Sequence, residues 1–353
     1  MYFNVFADHR SEVHGYLIPD GFSSKPRILV RANGDEIGPI DCDIFLESPY
    51  KHRHHETGVV GFILNDANVP GIGQHADLEI ADAETGFTFY RRLRPGQHLE
   101  KRIFRLETQF SPHNELDLSL MPHFQFNASG IEHYGSETVR QMLEVVNQPS
   151  TYVSGRVLLK TVQQYFDSNT ITITSLRDPF YELAIRLTTI SLAKKRPFSF
   201  LSKRDEIIYK PAMEYFSGLN FADEKSLTSK IKSAPKDILT LFDSPFTRQL
   251  VAASPTDNVS RDAVSNALDV LSQFSIFNAE EKDDTLARDI SDYLGFENYS
   301  LRFIPMRPEF KKIADMLRQI NTLEHVLESD LILYYFIRKA AVRARKRSAT
   351  HPG

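Results

Sequence analysis

One short stretch constrains the fold of this chain most: residues 170–174, an alternation of threonine and isoleucine, followed by Arg177-Asp178-Pro179. The alternation is typical of a strand. Asp178 suits a helix N-cap and Pro179 the first helical position. The order predicts that Arg177 lies at the carboxyl end of a buried strand and beside a helix N-terminus, where an α/β protein can hold a phosphate or sulfate.

Composition indicates an ordinary globular protein. The chain has 353 residues, of which 41% are hydrophobic and 25% charged, and this length suggests two domains. A net charge of -4 gives no general attraction to nucleic acid. The single cysteine, Cys42, excludes an intramolecular disulfide and a cysteine zinc cluster, and it fits a reducing compartment.

The first residues carry no basic stretch followed by an apolar run, so a signal peptide is not expected. No apolar segment approaches the roughly 20 residues of a membrane helix. We therefore expect a cytoplasmic protein. The basic run at residues 338–347 predicts a peripheral contact with an anionic membrane face, or otherwise a solvated helix end.

Residues 1–98 have the pattern of a small antiparallel β-sandwich. Short apolar runs alternate with turn signals, and Asn33-Gly34 is typical of a hairpin turn with positive φ. The predicted strands are 27–31, 59–64, 76–80 and 87–90. Such a domain could bind glycan or simply pack against its neighbour.

Residues 99–353 alternate strand and helix, which predicts a three-layer α/β domain with a parallel sheet and a helical C-terminal part. The first strand is expected at 101–106. Helices are expected from Ser136 over 139–146, from Ser154-Gly155 over 158–166, and over 180–190. Pro245 after Ser244 predicts a later helix start, and Gly295 a helix end.

Several ordered segments resemble the carbohydrate sulfotransferases. Tyr152-Val153-Ser154-Gly155-Arg156 is similar to that family's strand-end Ser-Gly-His string, and Arg177-Asp178-Pro179 to its strand-end Arg-Asp-Pro. Downstream, residues 244–250, 267–277 and 330–334 resemble its Asn-Pro-Phe-x-Arg-Gln-Leu, late helix–strand and Asp-x-x-Leu-Tyr segments. The resemblance covers about residues 99–340.

The resemblance implies a P-loop-like fold and transfer of a sulfuryl group from 3′-phosphoadenosine 5′-phosphosulfate to a hydroxyl of a cell-surface glycan, without a metal. Arg177 would bind the 3′-phosphate of this co-substrate, and Ser154 and Gly155 would lie near the cleft. Arg105 would replace the family's donor-loop lysine, and Thr108 its hydroxyl residue.

The sequence departs from the family at functional positions. Residues 104–110 contain no glycine, Ile185 stands at the serine position after the Arg-Asp-Pro, and Arg156 replaces a histidine that can act as a base. Arginine stays protonated and cannot accept a proton. The substitute base could be His113, His123, His133 or Glu107.

Several of these residues also have a purely structural interpretation. Arg177 could pair with a carboxylate, and Ser154 could be an N-cap. The run 194–196 could face a polyanion or form a surface turn. His52 and His54 suggest a metal patch, but the neighbouring Lys51 and Arg53 disfavour a cation.

Three functions therefore stay open from sequence. The first is sulfuryl transfer, with Arg105, Glu107 and His113 in the chemistry. The second is a non-catalytic protein of the same fold that binds glycan or a glycan-assembly partner. The third is glycosyl transfer, which would require paired acidic residues around a metal.

Overall fold

The computed structural model describes residues 1–145, 147–279, 285–296 and 301–350, the last nine of these by their backbone. The first part of the chain forms two four-stranded antiparallel sheets with strand orders β1-β2-β6-β5 and β4-β3-β7-β8. These strands are β1 (Tyr2–Asp8), β2 (Val13–Ile18), β3 (Arg27–Ala32), β4 (Asp35–Asp41), β5 (Ile44–Phe45), β6 (Val59–Leu64), β7 (Leu78–Asp82) and β8 (Thr88–Arg91).

The predicted hairpin joins β3 and β4. Asn33 and Gly34 adopt φ values of 53° and 88°, the left-handed conformation that a two-residue hairpin turn requires. A one-turn helix, α1 (Glu47–Lys51), follows β5. His52 and His54, the suggested metal patch, lie in the turn after this helix.

The second part is built on a five-stranded, wholly parallel sheet, which confirms the predicted α/β fold with a parallel sheet. Its strand order is β10-β11-β9-β12-β13. The strands are β9 (Arg102–Leu106), β10 (Phe126–Ala128), β11 (Thr151–Gly155), β12 (Thr170–Leu176) and β13 (Ile276–Ala279).

Helices cover both faces of the parallel sheet. They are α2 (Asn114–Leu120), α3 (Ser136–Leu143), α4 (Pro179–Ala193), α5 (Lys203–Tyr215), α6 (Glu224–Lys232), α7 (Lys236–Thr240), α8 (Pro245–Val251), α9 (Ala263–Leu271), α10 (Thr285–Leu294), α11 (Pro308–Arg318), α12 (Asn321–Val326) and α13 (Glu328–Thr350). Ile103 and Tyr152 pack with α2 and α10, whereas the alternate residues Phe104 and Val153 share a core with α3, α8 and α9. This alternation is the period-two pattern of a strand buried on both faces.

The change from antiparallel to parallel pairing falls between β8 and β9, around the predicted boundary at residue 98. One hydrophobic core nevertheless runs through both parts, since Phe3 of β1 stacks on Phe126 of β10 with ring centroids 6.1 Å apart. The N-terminal ammonium also donates to Thr138 of α3 at 2.8 Å. The predicted division into two domains, residues 1–98 and 99–353, stays a prediction.

Two helix predictions need correction. Residues 158–166 form two 3₁₀ turns, Leu159–Thr161 and Gln163–Tyr165, and not an α-helix. The buried Leu159 and Val162 are three residues apart, which matches the 3₁₀ repeat of three residues per turn. Ser154 and Gly155, expected to open that helix, instead end β11, because their backbone pairs with Arg105 and Leu106 of β9.

Other helix termini lie where the sequence placed them. Asp178 caps α4 by accepting the N–H groups of Phe180 and Tyr181, both at 3.0 Å, and Pro179 is its first residue. Pro245 begins α8, and Gly295 follows α10 with φ 76°. Helix α3 begins at Ser136 with Gly135 as N-cap and ends at Leu143, while Val146 lies outside the described residues.

Among the residues with described side chains, no helix combines the length and apolar character needed to cross a membrane. Of the basic run 338–347, side chains from residue 342 onward lie outside the described part. Lys339 lies over the ring of Tyr335, 5.5 Å from its centroid.

Candidate binding site at the carboxyl edge of the parallel sheet

The site candidates gather at the carboxyl edge of the parallel sheet. The chain leaves β9 toward β10 on one side of the sheet and leaves β12 toward β13 on the other. In open α/β sheets such a reversal between neighbouring strands opens a crevice where ligands bind. The segments that follow β9, β10, β11 and β12 supply Glu107, Glu132, Arg156 and Arg177 to this region.

The guanidinium of Arg105 is held by acidic side chains of neighbouring elements. Its guanidinium donates to both carboxylate oxygens of Asp117 on α2 at 2.8 and 2.9 Å, and to Glu107 at 2.9 Å. Tyr152 and Ser154 on β11 donate their hydroxyls to the same Asp117. Burial alone would lower the pKa of Arg105, but Asp117, Tyr152 and Glu107 hold it well above its usual range. The predicted role of Arg105 as a donor ligand stays a prediction, and in this structure its charge is already compensated by Asp117 and Glu107.

The carboxylate of Glu107 binds the backbone N–H groups of the loop after β9 in the way that a bound anion would. Its carboxylate accepts the backbone N–H groups of Gln109 at 2.9 Å and His113 at 2.8 Å, besides the side chains of Arg105 and His113. Burial raises the pKa of this carboxyl, but His113 and Arg105 outweigh burial and leave the pKa well below the usual range. Glu107 is thus ionised, and it fills a cradle of donors of the type that binds phosphate.

His113 bridges Glu107 and Arg177. Arg177 donates to Nε2 of His113 at 3.0 Å and also to the carbonyl of Ile304 at 3.3 Å. Because a guanidinium can only donate, Nε2 accepts, and the imidazole proton lies on Nδ1, 3.0 Å from Glu107. His113 is 2% exposed, and its ring lies 4.5 Å from that of Phe303. Neither of its nitrogens faces the open edge, so this conformation does not present the predicted base.

Arg177 lies where the sequence predicted, directly after β12 and before the N-cap of α4. Its side chain is buried, with the rings of Tyr181 and Phe303 5.8 and 5.6 Å from the guanidinium carbon. Residues 303–304 therefore cover it from one side. Both carboxylate oxygens of the cap residue Asp178 accept from Nη2 of Arg318 on α11, each at 3.0 Å.

An open crevice, which we call the polar crevice, lies beside this network. Its walls include Arg105, Glu107, Asp117, Ser154 and Gly155, and its more accessible side groups are Asn114, Ser129, Glu132, His133, Ser199 and Phe200. The predicted Thr108 is not a wall residue, because its buried hydroxyl donates to the carbonyl of Ser175 on β12. Of the sequence candidates, then, Arg105, Glu107, Ser154 and Gly155 meet at the crevice and Thr108 does not.

Gly155 is required by close packing. A Cβ atom there would lie 2.6 Å from a carboxylate oxygen of Glu132 and 2.8 Å from the backbone nitrogen of Ile131. The same oxygen of Glu132 accepts the N–H of Arg156 at 2.9 Å. The glycine therefore lets Glu132 lie against the end of β11 and face the crevice.

Sequence reasoning missed Asp117 and Glu132. Asp117 had a detectable signal, because it is an acid on the same helical turn as the buried Leu116 and Leu120, and a buried acid requires a partner. Glu132 had no such signal, since it lies in a short 3₁₀ turn after β10 that the sequence did not predict.

The other two candidate bases, His123 and His133, lie at opposite edges of the parallel sheet. His133 lines the polar crevice. His123 precedes β10 and its carbonyl accepts the N–H of Leu99, which precedes β9, so it lies at the opposite, amino edge of the sheet. The basic run 194–196 follows the 15-residue helix α4, about 22 Å from the carboxyl edge. The run forms an exposed turn, and Ser199 and Phe200 of the crevice follow it closely, so its contact with a polyanion stays a prediction.

The ring of His52 forms a hydrogen bond with the hydroxyl of Ser48, and the ring centroids of His54 and Tyr2 are 5.1 Å apart. Within the described residues, no group of three or more histidine, cysteine, aspartate or glutamate side chains is arranged to hold a metal.

The comparisons with known proteins assign no family. The chain matches no model of a known protein family, and a search of curated proteins finds no similar sequence.

Proposed function

We propose that this chain is a protein of sulfotransferase-type, P-loop-like fold that binds a glycan in the polar crevice and uses no nucleotide donor. The carboxylate of Glu107 carries this proposal. A donor phosphosulfate would require the N–H groups of Gln109 and His113 and the charge of Arg105, and Glu107 accepts from all three. An incoming polyanion would meet an ionised carboxylate there, and like charges at close range repel.

The position of Arg177 supports the same conclusion. In the resembled family this arginine would grip the 3′-phosphate, but here it is 4% exposed, with His113 and Ile304 as partners. A nucleotide would have to displace the segment around residues 303–304 to reach it.

The chemistry of the polar crevice suits a polyhydroxylated ligand. Glu132 can accept sugar hydroxyls, Asn114, Ser129, Ser199 and His133 can donate or accept, and Phe200 offers an apolar ring face. Sites of this kind combine one apolar surface with a few convergent polar groups. A carboxylate-lined space favours hydroxyl donors over phosphate or sulfate.

Calorimetry tests the donor half of the proposal. Titration of adenosine 3′,5′-bisphosphate into the wild-type protein should give no binding up to millimolar ligand. Micromolar affinity would overturn this half, because it would require an anion site that the described contacts of Glu107 and Arg177 close.

Ligand-observed NMR against a panel of neutral and acidic oligosaccharides tests the glycan half. We expect binding by at least one oligosaccharide and a loss of about tenfold or more in Glu132→Gln, because a hydrogen bond to a charged group contributes about 1.5–3 kcal/mol. Glu144→Gln, an exposed residue after α3, is the matched control and should bind as wild type. Glycan binding in the crevice would be contradicted if no oligosaccharide of the panel bound, or if Glu132→Gln bound with the affinity of the wild type.

A second candidate is sulfuryl transfer from 3′-phosphoadenosine 5′-phosphosulfate to a glycan hydroxyl. The place of Arg177 between β12 and α4, at the reversal of the sheet, favours it. The sulfur–oxygen bond to the donor phosphate would break, a bond to the acceptor oxygen would form, and the hydroxyl proton would pass to a base such as His133. Release of adenosine 3′,5′-bisphosphate that depends on added glycan would establish this function in place of the first.

A further inference from the structure

A second cavity adjoins the polar crevice, and we call it the arginine cavity. Its walls contain the four arginines Arg156, Arg186, Arg204 and Arg248, the acids Glu132 and Asp205, and an apolar side that includes Leu158 and Ile208. The cavity volume is about 120 Å³, and the cavity is partly open to solvent, so it can hold one group of a ligand that extends beyond it. Glu132 lines both the crevice and the cavity, so the two spaces are adjacent.

The floor of the arginine cavity is rigid. The ring of Phe110 lies between two guanidinium groups, with Arg156 and Arg186 at 4.7 and 4.8 Å from its centroid. Arg156 donates to the carbonyl of Phe110 at 2.6 Å and pairs with Asp205 at 2.5 Å. Arg186 pairs with Glu182 at 2.8 Å. These two charges are therefore compensated and hold the shape of the site.

Two further arginines have unused capacity. Arg204, in the first turn of α5, is exposed and has no hydrogen-bond or ion-pair partner within the described parts of the chain. Arg248 on α8 reaches the carbonyl of Thr240 at 3.3 and 3.4 Å and Asp243 at 3.7 Å, while its Nε is buried without a hydrogen-bond partner. A buried donor without an acceptor is unfavourable, so the described partners of Arg248 leave part of its hydrogen-bonding capacity unused.

We infer that the arginine cavity binds the carboxylate of an acidic sugar, a uronate, in the glycan whose neighbouring residue occupies the polar crevice. This inference rests on the proposed glycan binding. The guanidinium groups of Arg204 and Arg248 recognise the planar carboxylate, and the apolar side including Leu158 and Ile208 contacts the C–H face of the ring. The crevice, with Glu132, receives an uncharged residue.

The test compares oligomers of glucuronate, galacturonate and mannuronate with their carboxyl-reduced counterparts, which differ by the charged group alone. We expect at least one uronate oligomer to bind tenfold or more tightly than its reduced form, with an advantage that shrinks as salt rises. Arg204→Gln should remove most of that advantage and weaken binding of the reduced oligomer much less than binding of the uronate oligomer. Lys203→Gln, the exposed neighbour outside the cavity lining, should preserve it.

The outcomes separate the inference from the proposed function. If reduced oligomers bind but no uronate binds more tightly, the inference is overturned and glycan binding stands. If neither class binds, both fail. If a sulfated oligosaccharide gains affinity through Arg204 and no uronate does, the cavity is an anion site but the uronate assignment is wrong.

Discussion

Glu107 and Asp330 are both fully buried carboxylates, yet their surroundings drive their pKa values in opposite directions. Glu107 faces Arg105 and His113, which overcome burial and lower its pKa well below the usual range. Asp330, in the first turn of α13, accepts two N–H groups and a hydroxyl from Phe246 and Thr247 at the start of α8. Burial raises the pKa of Asp330 to about 6, since these neutral donors compensate it incompletely. At Glu107 the contacts with Arg105 and His113 outweigh burial, whereas at Asp330 the hydrogen bonds from Phe246 and Thr247 do not.

The largest expected effect is at the ionised network. Asp117→Asn should lower the free energy of unfolding by about 3–5 kcal/mol, because it removes the bidentate partner of Arg105 and leaves a buried charge partly uncompensated. Urea denaturation measures this. The exposed pair Glu47–Lys51, with 2.7 Å between its charged atoms, is the control, and Glu47→Gln should cost under about 0.5 kcal/mol. Similar losses in both variants would contradict the distinction between buried and exposed pairs.

Asp330 should give the next largest effect, visible as a pH dependence. Its folded pKa of about 6 lies above the model-peptide value of 3.8, so the folded state binds its proton more tightly than the unfolded state. Between about pH 4 and pH 6 this contribution to stability is lost as the pH rises. Relative to Asp330→Asn, the wild-type free energy of unfolding should fall by about 2.4 kcal/mol from pH 4 to pH 7.

Glu107→Gln should show the reverse trend. The folded pKa of Glu107 is depressed, so its contribution is present above the unfolded pKa and is lost as the pH falls. Stability of the wild type relative to Glu107→Gln should therefore rise from pH 3 to pH 6. Parallel pH profiles for the Asp330 and Glu107 variants would remove the basis of the comparison.

The smallest effect concerns the cradle around Glu107. Glu107→Gly removes the internal carboxylate and exposes the N–H groups of Gln109 and His113 to an added anion. Sulfate at ten times its dissociation constant should then stabilise the variant by about 1.4 kcal/mol more than it stabilises wild type. Glu107→Gln retains the side-chain volume and should show no such gain. Equal sulfate effects in all three proteins would mean that these donors do not form an anion site.

Local signals were reliable where they act within a few residues. Asn33-Gly34 predicted the hairpin, and Asp178-Pro179 predicted the start of α4 and the placement of Arg177 at a strand end. The helix expected at 158–166 failed because its apolar spacing also fits 3₁₀ turns. The resemblance placed Thr108 in the site, but its hydroxyl donates to the carbonyl of Ser175 on β12, 67 residues later.

The chain's own residues determined a β-rich first part, an α/β second part and an arginine standing between a strand and a capped helix, because turn, cap and strand propensities depend on neighbours in sequence. Tertiary structure alone decided which charges remain available to a ligand. Arg105 meets Asp117 across β9 and α2, and Glu107 meets His113 through a folded loop. Coulomb interactions and burial depend on distance in space, and that distance exists once the sheet and helices have packed.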